Sequence, residues 1–278
     1  MTTAVLLPVL AAPFLTPAAG QDILPLPPHA PERLRRIEQF QELAAPLTAK
    51  FEAHTYRNAQ GETMPYRLFR PEKVEAGAKF PLILYLHGAG GLGMDNEKNI
   101  RGGNLPGSHL WALPSTQAKQ PVFVVAPQTD SGWGPRRGAP VEAGVVSRGA
   151  RLALEIVDQL RAGLPVDSKR IYVMGNSMGG AGAWYVIAQR PDLFAAAVPM
   201  CGGGDPATAP RFRSVPVWNF HGDADKTVPV ERSREMVEAA RKAGGAVRYT
   251  EYPGVGHNVA QWAATEPALV EWVFAQRK

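Results

Sequence analysis

The sequence predicts an α/β domain built on a mainly parallel, doubly wound sheet flanked by helices, without a large cap domain. Three observations predict it. Residues 81–86 and 122–126 are continuous apolar runs, the mark of strands buried on both faces of a parallel sheet. Strand-like and helix-like segments alternate along the chain, as βαβ units require. Residues 171–180 read I-Y-V-M-G-N-S-M-G-G: an apolar strand runs into a tight turn, and the positions after it (Ala181, Trp184, Tyr185, Ile187, Ala188) have helical spacing.

The 278 residues and 45% hydrophobic content are enough for one large core, and a single catalytic domain over residues 49–278 is expected. The formal charge of +5 is modest, and its Lys and Arg residues are scattered, which argues against nucleic acid as a partner. Cys201 is the only cysteine, so no intrachain disulfide and no thiolate metal cluster can form.

Residues 1–20 read as a secretory signal. An apolar run over 4–15 is followed by the small residues Ala18, Ala19 and Gly20, although no Lys or Arg precedes the run. Interrupted by Pro8 and Pro13, the run is too short to span a bilayer of about 30 Å, so no membrane span is expected. The location implied is secreted or periplasmic. Residues 21–48 follow as a Pro-rich linker and a surface helix, the latter carrying Leu34, Ile37, Phe40 and Leu43 at spacings of three.

Segments 51–57 and 64–69 alternate like strands around Asn58-Ala59-Gln60-Gly61, a hairpin signal. A helix over 145–160 precedes the strand leading to Ser177. Further strands are predicted over 195–198, 217–220 and 247–252, with helices over 230–243 and 266–276. In such a sheet the functional residues belong at the carboxyl ends of the strands, where Ser177 sits.

A serine hydroxyl needs a base to take its proton and an acid to orient that base. His257 lies in a glycine-rich loop after the strand ending at Tyr252, and Asp225 lies after the strand ending at Phe220. The order Ser177, Asp225, His257 suits such a triad. Asp223 is the rival acid, although its nearness to the strand end suits turn formation; Asp205, beside a proline, is third. His221 and His87 read as loop braces, and His29, His54 and His109 as surface residues. A developing oxyanion needs two backbone N–H donors. The Met178 amide opens the helix after Ser177. Ala89, in the glycine-rich loop after residues 81–86, is the first choice for the other. Gly90 beside it and Trp133 are expected to contact substrate, with Trp133 supplying a flat apolar wall. Trp184 and Trp218 read as core.

Six segments together resemble secreted or periplasmic serine esterases of the α/β-hydrolase superfamily. They are LHGAGG (86–91), VAPQ (125–128), VDSKRIYVMGNSMGG (166–180), PDLFAAAVPMCGGGDP (191–206), FHGDADKTVP (220–229) and YPGVGHN (252–258). The group resembled includes predicted peptidases and polyhydroxybutyrate-depolymerase-like and feruloyl-esterase-like enzymes, and the resemblance covers about residues 50–278. It implies ester hydrolysis through Ser177, Asp225 and His257, with a peptidase of the same fold as the alternative and a non-catalytic binding protein behind both. The implied substrate is a small-molecule or polymer-linked ester. The disulfide of some polyester-cleaving relatives is unmatched. No cofactor fingerprint is present, and the His, Asp and Glu residues lack metal-ligand spacing. With about sixteen residues between Met200 and Val217, the cleft should be open.

Overall fold

Among the described residues, eight strands, numbered β1 to β8 in chain order with the ranges given below, form one sheet in the spatial order β1-β2-β4-β3-β5-β6-β7-β8. The structure, a computed structural model, describes residues 30–72, 77–135 and 145–278. The signal expected over 1–20 and the proline-rich part of the linker before residue 30 lie outside the described residues.

The antiparallel edge is the hairpin of β1 (Glu52–Arg57) and β2 (Thr63–Phe69), with β2 also antiparallel to β4 (Phe123–Pro127). From there the sheet is parallel through β3 (Phe80–Leu86), β5 (Val166–Asn176), β6 (Ala196–Met200), β7 (Val217–Gly222) and β8 (Val247–Tyr252). β3 and β4 swap places relative to chain order, which reverses the direction of winding and lets helices cover both faces.

The helices are α1 (Pro31–Ala44), α2 (Leu105–His109), α3 (Pro114–Lys119), α4 (Arg148–Gly163), α5 (Met178–Gln189), α6 (Glu231–Lys242), α7 (Ala260–Ala264) and α8 (Leu269–Ala275). Side chains alternate across each central strand. Leu82, Leu84, Ile171 and Val173 enter one core with α4, α5 and α6. Ile83, Tyr85, Tyr172 and Met174 enter the other with α1, α7 and α8. A strand facing two cores has no polar side, which is why residues 81–86 read as an unbroken apolar run.

Three expectations shift. Spacings of three drift about 60° around a helix at each step. Ile37 and Phe40 are therefore buried while Leu34 and Leu43 face solvent, and the buried stripe is Arg33, Ile37, Phe40 and Ala44. That helix stops at Ala44 and passes into a 3-10 segment, Ala45–Lys50, because Pro46 has no N–H to continue the ladder. The stretch 92–121, in which the sequence signals no element, holds α2 and α3, both short and opened by prolines. At the C-terminal end, the helix expected over 266–276 is α8, and a further short helix, α7, precedes it at Ala260–Ala264, where the sequence signals no element.

No helix among the described residues is long and apolar enough to cross a membrane. Between β6 and β7, residues 201–216 hold one 3-10 segment, Pro206–Phe212.

Candidate active site

Ser177 stands between the last residue of β5 and the first of α5, with φ 57° and ψ −114°, a backbone conformation that L-residues avoid. The neighbours explain how the turn is tolerated. A Cβ on Gly175 would collide with the carbonyl of Gly179, and one on Gly179 with the carbonyl of Leu86 in β3. The Ser177 amide is anchored to the Met200 carbonyl, 2.9 Å away in β6, and its hydroxyl projects beyond the sheet.

Two loops from later strands meet it. His257, between β8 and α7, lies with Nε2 2.8 Å from Ser177 Oγ and Nδ1 2.7 Å from Asp225 Oδ2. The carboxylate facing Nδ1 accepts only, so that nitrogen carries the hydrogen and Nε2 turns its lone pair toward the serine hydroxyl. The Asp225 side chain is fully buried, whereas that of His257 is 30% exposed. Asp225 Oδ1 accepts from the amides of Thr227 (2.8 Å) and Val228 (2.9 Å). Burial pushes the Asp225 carboxyl up, but hydrogen bonds from His257 and those two amides outweigh it and hold the group below the usual carboxylate range.

The rival acids are occupied elsewhere. Asp223 is exposed and accepts from the Gly254 amide at 2.6 Å, tying the two loops together. Asp205 caps the Pro206–Phe212 segment by accepting from the Ala207 amide.

Ala89 opens a 3-10 turn, Ala89–Gly91, directly after β3, and Met178 opens α5. The first amides of a helical turn have no carbonyl behind them, so both N–H groups are without a partner inside their own turns. The approach to Ala89 is held firmly. The Gly88 amide donates to Asn104 Oδ1 at 2.8 Å. His87 Nδ1 faces the Gly88 carbonyl at 2.7 Å, and its Nε2 accepts from the Thr129 amide at 3.1 Å. Trp133 Nε1 donates to the His87 carbonyl at 2.9 Å. Burial pushes the His87 imidazole down to about 4, which keeps it neutral and its two hydrogen bonds in one sense.

These contacts correct the expectation for Trp133. It is 1% exposed and packs edge-on against His87, so it braces the glycine-rich loop instead of walling a cleft. Gly90 is exposed, with open space where a side chain would stand. His109 is not a surface residue either. It is fully buried, stacked 4.7 Å from Phe51 and bonded to Thr48 and Ser108. His54 is half-buried, and His29 lies outside the described residues. Trp184 and Trp218 are buried, as expected.

Sequence reasoning missed Asn104, which no local motif announces. It also missed the contact of His221 with Asp225, although both stand in one short motif. Cys201, whose thiol burial raises to about 12, hydrogen-bonds Asn176 Oδ1 at 3.2 Å next to this cluster. The donor atoms of Cys201, Asp225 and His257 lie within 4.8 Å of one another. Those of Asp225 and His257 are already turned toward each other and toward Ser177.

A model of the dienelactone hydrolase family matches residues 140–268, the part that holds Ser177, Asp225 and His257. A solved structure described as a thermostable esterase is 36% identical, with a TM-score of 0.77, over 84% of this chain and 64% of its own. The bifunctional acetylxylan esterase/xylanase XynS20E of Neocallimastix patriciarum is 27% identical over 172 residues, 61% of this chain and 22% of that protein. Poly(3-hydroxyalkanoate) depolymerase C of Paucimonas lemoignei is 33% identical over 130 residues, 45% of this chain and 28% of its own. The chain thus spans less than a third of either of these two relatives. Sheet order, the strand, turn and helix around Ser177, and the likeness to the thermostable esterase together show that the chain has the α/β-hydrolase fold.

Proposed function

We propose that this chain is a serine carboxylic-ester hydrolase working through an acyl-enzyme intermediate, with Ser177 as nucleophile, His257 as base and Asp225 as acid. The observation that carries the reading is the continuous hydrogen-bonded line from Ser177 Oγ through His257 to Asp225 Oδ2, with steps of 2.8 and 2.7 Å. As Ser177 attacks the ester carbonyl, His257 Nε2 takes its proton and then passes it to the leaving alcohol; a water activated by the same nitrogen releases the acid. Asp225, ionised and rigidly held, offsets the imidazolium charge. The amides of Met178 and Ala89 are assigned to the oxyanion, a role that suits two helical-turn openings at one sheet edge.

The proposed substrates are bulky, aromatic or polymer-linked esters reached through an open cleft. The short connection over 201–216 supports this, since no helical cap is inserted there. The relatives that act on acetylxylan and on poly(3-hydroxyalkanoate) by name support the same class. A peptidase with the same residues is the second reading. It would need His257 to protonate a poorer leaving group. Export guided by residues 1–20 belongs to the proposal, with residues 49–278 as the catalytic unit.

Initial rates on short and long p-nitrophenyl esters, methyl ferulate, acetylated xylan and a peptide anilide test it, with Ser177→Ala beside the wild type. Ester turnover that falls at least about a thousandfold in the variant is expected. Turnover of the anilide alone would move the assignment to the peptidase. Ester turnover undiminished in Ser177→Ala would overturn both.

A further inference from the structure

A second buried histidine touches the acid, and the relay just described does not use it. His221, in β7, has a fully buried side chain. Its Nδ1 lies 2.7 Å from Ser233 Oγ on α6. Its Nε2 lies 3.0 Å from the Val228 carbonyl and 3.3 Å from Asp225 Oδ2.

Those partners fix the tautomer. The carbonyl and the carboxylate facing Nε2 both accept only, so Nε2 carries the hydrogen, bonded to the Val228 carbonyl with the Asp225 carboxylate close beside it. Nδ1 of the neutral ring then holds a lone pair and accepts from the Ser233 hydroxyl. Burial lowers the basicity of His221, in keeping with a neutral ring. An ionised carboxylate offers about four acceptor sites; Asp225 Oδ1 accepts from the Thr227 and Val228 amides, while Oδ2 meets His257 at 2.7 Å and has His221 Nε2 3.3 Å away on its other side.

We propose that His221 is a positioning residue for the acid. Held as the Nε2–H tautomer by the acceptors around Nε2 and seated through Nδ1 by Ser233, it directs a second N–H at Asp225 Oδ2 and fixes the carboxylate in the plane that meets His257 Nδ1. The proposal rests on the reading of Ser177, His257 and Asp225 given above. Without this donor, Oδ2 would be held from one side only, by the half-buried histidine that must itself move charge during turnover. With it, the carboxylate keeps its place whether or not His257 is protonated. The other titratable groups around the pair do not compete for this role. The Cys201 thiol beside Asp225 stays protonated through burial. Glu251 on β8 is engaged by Arg234 and by Tyr249, each at 2.6 Å.

The test compares wild type, His221→Gln, His221→Leu and Ser233→Ala on a short p-nitrophenyl ester, with Ser177→Ala as control. Gln can place an amide N–H near the position of Nε2; Leu fills the space without a donor. We expect His221→Leu to lower kcat roughly ten- to a hundredfold, the effect of one charge-assisted hydrogen bond, with KM within about twofold. His221→Gln should recover most of that loss. Ser233→Ala, which removes the hydroxyl that seats Nδ1 and so loosens the ring without changing its tautomer, should fall between wild type and His221→Leu. The acidic limb of the kcat/KM profile should move to higher pH in His221→Leu, because Oδ2 then concentrates its charge on His257.

Equal losses in the Leu and Gln variants with an unmoved acidic limb would reduce His221 to a loop brace and overturn the proposal. If His221→Leu does not fold, Ser233→Ala decides alone: unchanged kcat overturns the proposal, and a lowered kcat at unchanged KM and Tm supports it. An active Ser177→Ala would instead sink the triad reading itself, so the two failures are distinguishable.

Discussion

Asp223 and Asp225 share one loop, and their surroundings assign them different work. Asp225 is buried among N–H donors, whereas Asp223 is exposed and ties the Gly254 amide. Asn at position 225 can still accept on one side, but its NH2 group would face the His257 N–H or a backbone amide and favour the wrong imidazole tautomer. Asp225→Asn is therefore expected to lower kcat by roughly a thousandfold or more with little change in KM, while Asp223→Asn stays within about threefold. Steady-state kinetics on one ester checks both, and similar losses in the two variants would contradict the assignment. The preference for Asp225 was legible because its spacing from the strand end leaves room for a turn. The burial of Trp133 and His109 was not, since each is buried by segments remote in sequence: His87 and α5 in the first case, and Phe51 and Thr48 in the second.

At the scale of elements, α1 is joined to the loop system around His257 by more than apolar contact. Arg33 lies 3.1 Å from Glu266, and its guanidinium covers the rings of Tyr252 and Trp262 at 4.6 and 5.3 Å. The Tyr252 hydroxyl donates to the same Glu266 oxygen at 3.2 Å. Tyr252 is the last residue of β8, five positions before His257. Removing one member of a buried ion pair leaves the other charge without its counterpart, at a typical cost of 3–5 kcal/mol. Arg33→Ala is expected to destabilise the fold by about 3 kcal/mol or more, read as a lower denaturation midpoint, whereas a joint Arg33→Met, Glu266→Gln replacement should recover much of the loss. A midpoint unchanged in Arg33→Ala would mean that α1 is held by its apolar stripe alone. This pair had no local signature, because 233 positions separate its members. The central strands and the turn at Ser177 did, because unbroken apolar runs and flanking glycines are written into adjacent residues.

For the molecule as a whole, buried neutral histidines link stability to pH. Burial pushes both His87 and His109 down to about 4 in the folded chain, against 6.5 for the free side chain. Between those values the unfolded chain binds protons that the folded chain refuses, so stability rises with pH across that window and is complete above about 6.5. Acidification from pH 7.5 to 5.0 should therefore cost up to about 2 kcal/mol for each histidine. Asp225, whose folded carboxyl is lowered, adds its own loss only at more acid pH. Denaturant titrations at the two pH values measure the slope, and His109→Gln should flatten it; an identical slope in that variant would remove His109 from the account.

All the candidate groups stand on loops that leave the same edge of the sheet: Ala89 after β3, Ser177 after β5, Asp225 after β7 and His257 after β8. The crossover between β6 and β7 leaves from that edge as well, yet it supplies none of them and carries only a 3-10 segment. It is a free attachment point. A lineage could lengthen it into a roof over Ser177, changing what reaches it, without moving a strand or any of the candidate groups.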